Sequence, residues 1–469
     1  MNLSIKEIIN ACGGNVLIPA ADENVNVTGV VLDSRKVEEG YVFVATPGER
    51  VDGHKFIGDV FEKGAVLVIG SKSVEELISQ YAFDKEKLGA YITVDDVFKA
   101  LVKVATYYRS KLTIPIVGIT GSVGKTSTKE FVAGVLSAKY NVLKTEGNFN
   151  NEIGVPLTLL RIDAQHEAAV VEMGISDFGE MHRLSQMVKP SVCLITNIGH
   201  CHLENLGDRD GVLRAKSEIF DFMQEDGSIC LNLEDDKLSV LKEIKGKKPY
   251  FFGFGPCFSY MENVESKGLW GSEATLNIDG ESLDVKIPLP GRHMVLNAAA
   301  GACVGKILGL TAEEISKGIA SVVPVSGRNH LIRTNAYTVI DDCYNANPAS
   351  MRSSIDLLKM ADTMKVAILG DMFELGETSD ALHEGVGVYA VEAGLDRLIC
   401  VGENSKHMYE AAKKADAGKC DVIYFPDRES ILQSLQANRK VLVPDECTVL
   451  LKASHGMQFG QILDLLTKI

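Results

Sequence analysis

Little in this chain points to an oxidised, membrane-spanning or nucleic-acid-binding protein. Its ten cysteines (Cys12, Cys193, Cys201, Cys230, Cys257, Cys303, Cys343, Cys400, Cys420 and Cys447) are scattered, and no two form a Cys-x-x-Cys pair. That spacing offers neither a disulfide framework nor a zinc site and reads as reduced thiols in a cytoplasmic setting. No run of about 18 apolar residues occurs, so no membrane-crossing helix is expected. The opening stretch Met1-Asn2-Leu3-Ser4-Ile5-Lys6 lacks the apolar core of a secretory leader. A formal net charge of −15 argues against general nucleic-acid binding. It leaves room for a local basic pocket that takes an anionic small substrate. Low-complexity segments and internal repeats are also missing.

What is present is an ordinary globular composition, 46% hydrophobic and 24% charged over 469 residues. At roughly 150 residues per domain, that length predicts about three domains. Residues 1–95 mix short strands (Tyr41–Ala45, Ala65–Ile69) with glycine-containing turns and short helices, a small mixed α/β domain. A helix is predicted from Val97 to Arg109, with Val97, Leu101, Val104 and Tyr108 on one packing face. From Thr113 apolar strands alternate with amphipathic helices, the pattern of a mostly parallel α/β sheet. The strands expected there are Ile114–Ile119, Ala168–Val171, Val192–Thr196 and Ser228–Leu231. A hairpin over Leu276–Ile287 should turn at Asp279-Gly280, followed by helices over 294–309 and 311–321. A second α/β series begins near Ser326, with strands at Thr338–Ile340, Val366–Leu369, Leu398–Val401, Val422–Phe425 and Thr448–Leu451. The implied division is 1–95, 96–325 and 326–469, the last a Rossmann-like sheet.

The strand Ile114–Ile119 runs into Thr120-Gly121-Ser122-Val123-Gly124-Lys125-Thr126-Ser127-Thr128 and then a helix. Glycines let backbone N–H groups curl round a phosphate, and a helix N-terminus adds its dipole. Lys125 would reach the β- and γ-phosphates and Thr126 would ligate Mg²⁺. The G-x-x-x-x-G-K pattern asks for glycine at position 119, where this chain has Ile119 between Gly118 and Gly121. The motif predicts nucleotide binding but no particular reaction.

Three further positions narrow the chemistry. Glu172 closes the strand Ala168–Val171, and ligands in open α/β sheets bind beyond the carboxyl ends of strands. A carboxylate there is placed to hold Mg²⁺, although a strand-end glutamate can also simply be solvated. After Val192–Thr196 comes Asn197-Ile198-Gly199-His200-Cys201-His202, without the further ligands a structural zinc needs. One of the two histidines could serve Mg²⁺ or phosphate, and spacing does not choose between them. In a helix predicted over Asp210–Met223, Lys216 falls inside the apolar stripe of Val212, Leu213, Ile219, Phe220 and Met223. It either snorkels to water or is buried with its pKa lowered. A neutral buried amine can take up CO₂ as a carbamate and so become an anionic metal ligand.

These residues resemble the Mur ligases of bacterial cell-wall synthesis almost from end to end. Asp33-Ser34-Arg35, Gly40-x-x-Phe43-Val44-Ala45 and Asp52-Gly53-His54 are similar to that family's uridine-nucleotide domain. Thr120–Thr128 is the family's form of the phosphate loop, which accounts for the displaced glycine. Asn148-Phe149-Asn150-Asn151-Glu152-Ile153-Gly154-Val155-Pro156 resembles the segment lining the acceptor and phosphate region. The resemblance implies ATP contacts along Thr120, Gly121, Ser122, Val123, Gly124, Lys125, Thr126 and Ser127. It implies acceptor contacts at Ser34, Arg35, Asn148, Asn150 and Asn151, and metal ligation by Thr126, Glu172 and His202 in preference to His200. Lys216, in Ala215-Lys216-Ser217-Glu218, matches the family's carbamylated lysine, and its carbamate would hold a second Mg²⁺. Asn297, Arg328 and Asp342 would contact the ATP base, phosphates and ribose.

Tyr344-Asn345-Ala346-Asn347-Pro348, with contacts at Asn345 and Asn347, and Leu369–Gly376 point to the dipeptide-adding branch. Lys452-Ala453-Ser454-His455 departs from the expected Lys-Gly-Ser-Arg, and the family-like segment around His383 carries no assigned role. The implied reaction couples D-alanyl-D-alanine to UDP-N-acetylmuramoyl-tripeptide through an acyl phosphate and a tetrahedral intermediate. Lys125, His202 and Lys216 would be catalytic, the protein a monomer, and domain closure would keep water from the acyl phosphate. Alternatives are a sister ligase adding one amino acid, a folate polyglutamylating enzyme, and a slow switch ATPase. A dehydrogenase is disfavoured because no G-x-G-x-x-G follows a strand of the last sheet.

Overall fold

A computed structural model describes residues 1–48, 51–84, 88–324 and 327–468. The fold is mixed α/β and built around three main sheets. It separates into two compact units, Met1–Gly253 with Ala300–Ile315, and Phe254–Ala299 with Ser316–Ile469.

The first unit holds two of the sheets. The N-terminal one has the strand order Asn15–Ile18, Tyr91–Thr93, Leu67–Gly70, Tyr41–Val44, Gly29–Val31 and is parallel except at the Asn15–Ile18 edge. The strand expected from Ala65 begins two residues later, because the Ala65 N–H closes the preceding helix on the Val60 carbonyl at 3.0 Å. A helix over Val97–Lys111 follows, capped by the Asp96 carboxylate on the Phe98 and Lys99 N–H groups. Val97, Leu101, Val104 and Tyr108 are all buried on its inner face, as the periodicity requires.

The parallel strands of the central sheet run Val142–Lys144, Ala168–Glu172, Ile116–Thr120, Val192–Ile195, Ser228–Asn232, Tyr250–Gly253. The middle four are buried on both faces and read as largely apolar runs, whereas Val142–Lys144 and Tyr250–Gly253 are partly exposed. Register places Ile119 opposite Glu172 and Thr120 opposite Ile195, so the phosphate loop leaves the sheet between two neighbouring strand ends.

The helix expected over Asp210–Met223 is shorter. It spans Arg209–Ser217 and tightens into a 3-10 turn at Glu218–Phe220. Two groups in this last turn are held by tertiary hydrogen bonds. The Glu218 carboxylate accepts from the Gly179 and His182 N–H groups, and the Ile219 carbonyl accepts from Ser185 Oγ at 2.8 Å.

In the second unit Ser259–Ser266, Ser272–Ile278 and Glu281–Ile287 form antiparallel pairs. The last two turn at Asp279-Gly280, where φ is +48° and +81°, the left-handed pair that a tight hairpin needs. Helices Arg292–Ile307 and Ala312–Ala320, whose residues are divided between the two units, match the two helical stretches expected from the sequence. The C-terminal sheet has the order His330–Arg333, Thr338–Asp341, Cys447–Lys452, Met364–Gly370, Arg397–Val401, Asp421–Phe425, antiparallel only at the His330–Arg333 edge. Strand residues alternate between two cores. Ile340, Ala367, Leu369, Leu398 and Leu450 face helices Pro348–Lys359, Ser379–Glu392 and Ser405–Ala415. Val339, Val366, Ile368, Ile399 and Val449 face Arg428–Leu442 and Gly460–Thr467. Helices on both faces make this a doubly covered, Rossmann-like sheet. No helix among the described residues is long and apolar enough to cross a membrane.

Candidate active site

The phosphate loop is shaped by glycine where the sequence pattern and the geometry agree. Gly121 has φ +150°, and a Cβ on it would lie 1.9 Å from Thr196 Oγ1, so no other residue fits. Gly124, at φ +82°, precedes the helix Lys125–Leu136. The required glycine thus stands at 121, and Ile119 is buried in the strand. The neighbouring strand end braces the loop. Ser122 N–H donates to the Asn197 carbonyl at 3.0 Å, and Val123 N–H donates to Asn197 Oδ1 at 2.9 Å. Asn197 Nδ2 and Thr196 Oγ1 both donate to the Val123 carbonyl. Lys125 Nζ donates to the Gly121 carbonyl at 2.8 Å, folded over the loop that would cradle phosphate. Thr120 Oγ1 is buried without a hydrogen-bond partner at the entrance to the loop.

Glu172 is 2% exposed and is held by hydrogen bonds from three directions. Thr126 Oγ1 donates to its Oε2 at 3.0 Å and Asn150 Nδ2 to its Oε1 at 2.9 Å. Its own N–H donates to Thr145 Oγ1 at 3.0 Å, which fixes the backbone from which the carboxylate projects. The Thr126 and Glu172 oxygens meet at the helix N-terminus beside the loop, a hard oxygen pair of the kind Mg²⁺ takes while keeping water and phosphate as its other ligands. The residues present therefore fit Mg²⁺ carried with a nucleotide. Among the described residues no three His, Cys, Asp or Glu side chains converge into a self-sufficient metal cage.

Lys216 is 1% exposed. No hydrogen bond or ion pair reaches its ammonium among the described residues. Desolvation, reinforced by repulsion from Lys125, lowers its pKa from 10.5 to about 7. Val212, Ala215 and Ile219 of the same stretch are buried with it, as an inward face of the helix demands. The buried reading holds and the snorkelling one does not. His202 stands immediately before the short helix Leu203–Leu206 with φ +50° and is half-buried, whereas His200 is exposed. The loop carrying both is braced by residues that the sequence did not single out. Asp235 Oδ2 accepts from Ile198 N–H at 2.8 Å, and Arg209 Nε donates to the Ile198 carbonyl at 2.9 Å while its guanidinium pairs with Asp236.

Other expected contacts are held in local structure. Asp33 caps the turn Ser34–Lys36, with Ser34 buried and the Arg35 guanidinium exposed and paired to Asp33 at 2.8 Å. Asn151 Oδ1 accepts from Ile153 and Gly154 N–H at the start of the helix Gly154–Leu160, and Asn148 is exposed.

In the second unit Asp342 is nearly saturated. Ser354 Oγ and Lys452 Nζ both donate to its Oδ2 at 2.5 Å, and Asn329 N–H donates to its Oδ1 at 3.1 Å. Lys452 is 2% exposed and also donates to the Asn345 carbonyl at 3.0 Å. The Arg328 guanidinium lies 4.2 Å from the centre of the Tyr344 ring, whose other ring neighbour is His455 at 5.8 Å. Asn347 forms a reciprocal cap with Ser350, Asn345 Oδ1 accepts from Ala346 N–H, and Asn297 is buried with Nδ2 3.6 Å from Met294 Sδ. His383 acquires a function here. Its Nε2 accepts from Met372 N–H at 3.0 Å and its Nδ1 meets the Ser379 carbonyl at 2.8 Å, so the neutral ring pins the segment after the strand Met364–Gly370.

The sequence matches three profiles, described as Mur ligase family, catalytic domain over residues 26–108, Mur ligase middle domain over 119–305, and Mur ligase, glutamate ligase domain over 327–455. It is 34% identical over 463 residues to the UDP-N-acetylmuramoyl-tripeptide--D-alanyl-D-alanine ligase of Bacillus subtilis, covering 98% of this chain and 97% of the relative. The fold is similar to the crystal structure of MurF from Acinetobacter baumannii, with a TM-score of 0.85, 30% identity and 99% of each chain covered. It is also similar to the MurF ligase of Thermotoga maritima in complex with ADP, with a TM-score of 0.78 and 29% identity over 94% of this chain and 97% of that one. With the loop and carboxylate at neighbouring strand ends of one sheet and a likeness spanning 98% of the sequence, the chain belongs to the Mur ligase family.

Proposed function

We propose that this chain is a cytoplasmic ATP-dependent ligase that joins D-alanyl-D-alanine to UDP-N-acetylmuramoyl-tripeptide in peptidoglycan precursor synthesis. The observation that carries the reading is 34% identity over nearly the full length to a ligase of that name, supported by the Thr126–Glu172 bond beside the phosphate loop and the burial of Lys216. The ADP held by the Thermotoga relative supports ATP as the nucleotide.

In this reading the Gly121–Gly124 loop and Lys125 hold the β- and γ-phosphates, and Lys125 exchanges its bond to the Gly121 carbonyl for the nucleotide. Thr126 and Glu172 would hold Mg²⁺, joined by His202, and a carbamate on Lys216 would hold a second ion. When bound, Mg²⁺ supplies neutralisation of the charge that builds on the transferring phosphoryl group. The tripeptide carboxylate attacks the γ-phosphorus and ADP departs, leaving an acyl phosphate. The dipeptide amine then attacks the acyl carbon, and phosphate leaves from the tetrahedral intermediate. Lys125 stabilises the negative charge that develops in the first step. Half neutral near pH 7, the Lys216 amine can attack CO₂, form an N–C bond and release a proton, which yields the carbamate. Asn297, Arg328 and Asp342 contact the nucleotide. Ser34, Arg35, Asn148, Asn150 and Asn151 contact the acceptor, and Asn345 and Asn347 the dipeptide.

The test offers the tripeptide precursor with D-alanyl-D-alanine, or with single amino acids, and follows ADP formation. Release should require both precursor and dipeptide. Release without a carboxylate acceptor would replace the ligase reading with a switch ATPase. Lys216→Ala should be nearly inactive and recover partly with bicarbonate or a short-chain acid, and full activity in that variant would end the carbamate assignment.

A further inference from the structure

Lys129 stands one helical turn beyond Lys125 and is 2% exposed, deeper than a surface lysine can be without partners. Its ammonium donates to the Thr145 carbonyl at 2.8 Å, and it lies 3.3 Å from Glu130 Oε1 and 3.9 Å from Glu172 Oε2. Glu130 is in turn paired through Oε2 with Lys144. Thr145 also accepts the Glu172 N–H, so one residue anchors both the lysine and the carboxylate backbone. The result is a line of alternating charge, Lys144, Glu130, Lys129, Glu172, that sums to zero. It ends on Glu172, beside the phosphate loop.

An ionised carboxylate this deep is costly unless a cation faces it. Thr126 and Asn150 supply hydrogen bonds but no charge. We propose that Lys129 is a positioning residue that stands in for the divalent cation at Glu172, holding the carboxylate in place while the metal is away and opposing the metal when it binds. Glu130 completes the device, because it gives Lys129 a second anion to lean on once the metal claims Glu172. A site built this way keeps its shape between turnovers and holds the metal loosely enough for it to leave with the products. The inference rests on the assignment of Glu172 as a metal ligand.

The test is a charge series read by metal affinity, with Mn²⁺ as the probe and electron paramagnetic resonance of free Mn²⁺ as the signal, in protein saturated with ADP. Lys129→Met makes the line net negative and should bind Mn²⁺ about tenfold more tightly, since unit charges some 4 Å apart interact strongly in a partly buried site. Glu130→Gln makes it net positive and should bind correspondingly more weakly. The double variant restores neutrality and should return toward wild type, and Lys129→Arg should match wild type. A purely structural Lys129 would instead lower affinity in both single variants, with no recovery in the double one. That result, or a flat series, overturns the proposal. If wild type with ADP binds no Mn²⁺ at all, the metal assignment of Glu172 fails instead, and the two failures are thereby distinguished.

Discussion

Replacing Lys216 with methionine should separate stability from function, because the structure charges the fold for a lysine it does not need for packing. Burial, and secondarily Lys125, takes the amine from 10.5 to about 7. At pH 7 the unfolded chain keeps that proton almost always and the folded chain about half the time. At about 1.4 kcal/mol per tenfold change, the difference costs the folded state about 4 kcal/mol. A base whose pKa is lower in the folded state is penalised fully below the folded value, less and less from about pH 7 to 10.5, and not at all above. Wild type should therefore gain stability as pH rises through that window, and Lys216→Met should lack this increment. Methionine fills a similar volume without charge, so the variant at pH 7 should be more stable by about 1–3 kcal/mol once imperfect packing is allowed for. The assay is urea unfolding of both proteins at pH 7 and 9.5 in CO₂-free buffer, so that no carbamate relieves the penalty, alongside ligase activity. A stability difference that does not change with pH, or a variant less stable at pH 7, would refute the buried-amine argument.

Other perturbations test other parts of the structure. Gly121→Ala should weaken ADP binding at least about tenfold by calorimetry, because a Cβ there meets Thr196 Oγ1 at 1.9 Å and the φ of +150° disfavours alanine; unchanged affinity would contradict the loop geometry. Arg109→Met should lower stability by about 2–4 kcal/mol, since the buried guanidinium donates to the Val188, Lys189 and Leu112 carbonyls at 2.6, 2.9 and 2.9 Å and ties two helices together; an unmoved urea midpoint would count against it. Lys452→Met should cost about 3–5 kcal/mol by stranding the Asp342 carboxylate, with partial recovery when Asp342→Asn is added. Equal losses in the single and double variants would mean that the pair is not the source.

The parts of the site legible in the sequence were those where one residue type contradicts its surroundings. A lysine inside the stripe Val212, Ile219, Phe220 announced Lys216, and Gly121 and Gly124 announced a loop that only glycine can shape. The same reasoning was available for Lys129, a lysine before Glu130 and Phe131 in a helix with few exposed positions. Arg209 and Asp235 reach the backbone of Ile198 from 11 and 37 residues away, and His383 that of Met372 from 11, across turns that no periodic pattern encodes. Asn347-Pro348-x-Ser350 does carry a readable capping signature, which competes with the substrate role given to Asn347. Central strands were legible as apolar runs, whereas edge strands such as His330–Arg333, half-buried and short, have no such run. The helix over Arg209–Ser217 was read too long because Ser185 and Glu218 divert its last turn through tertiary hydrogen bonds.

The central claim is that an organic carboxylate, not water, receives the terminal phosphoryl group of ATP. Heavy-oxygen label placed in the terminal carboxylate of the tripeptide precursor tests it by mass spectrometry of the phosphate released. Transfer of one labelled oxygen to each phosphate, with stoichiometric pentapeptide product, is the predicted result. Unlabelled phosphate accompanied by continuing ADP formation would contradict it.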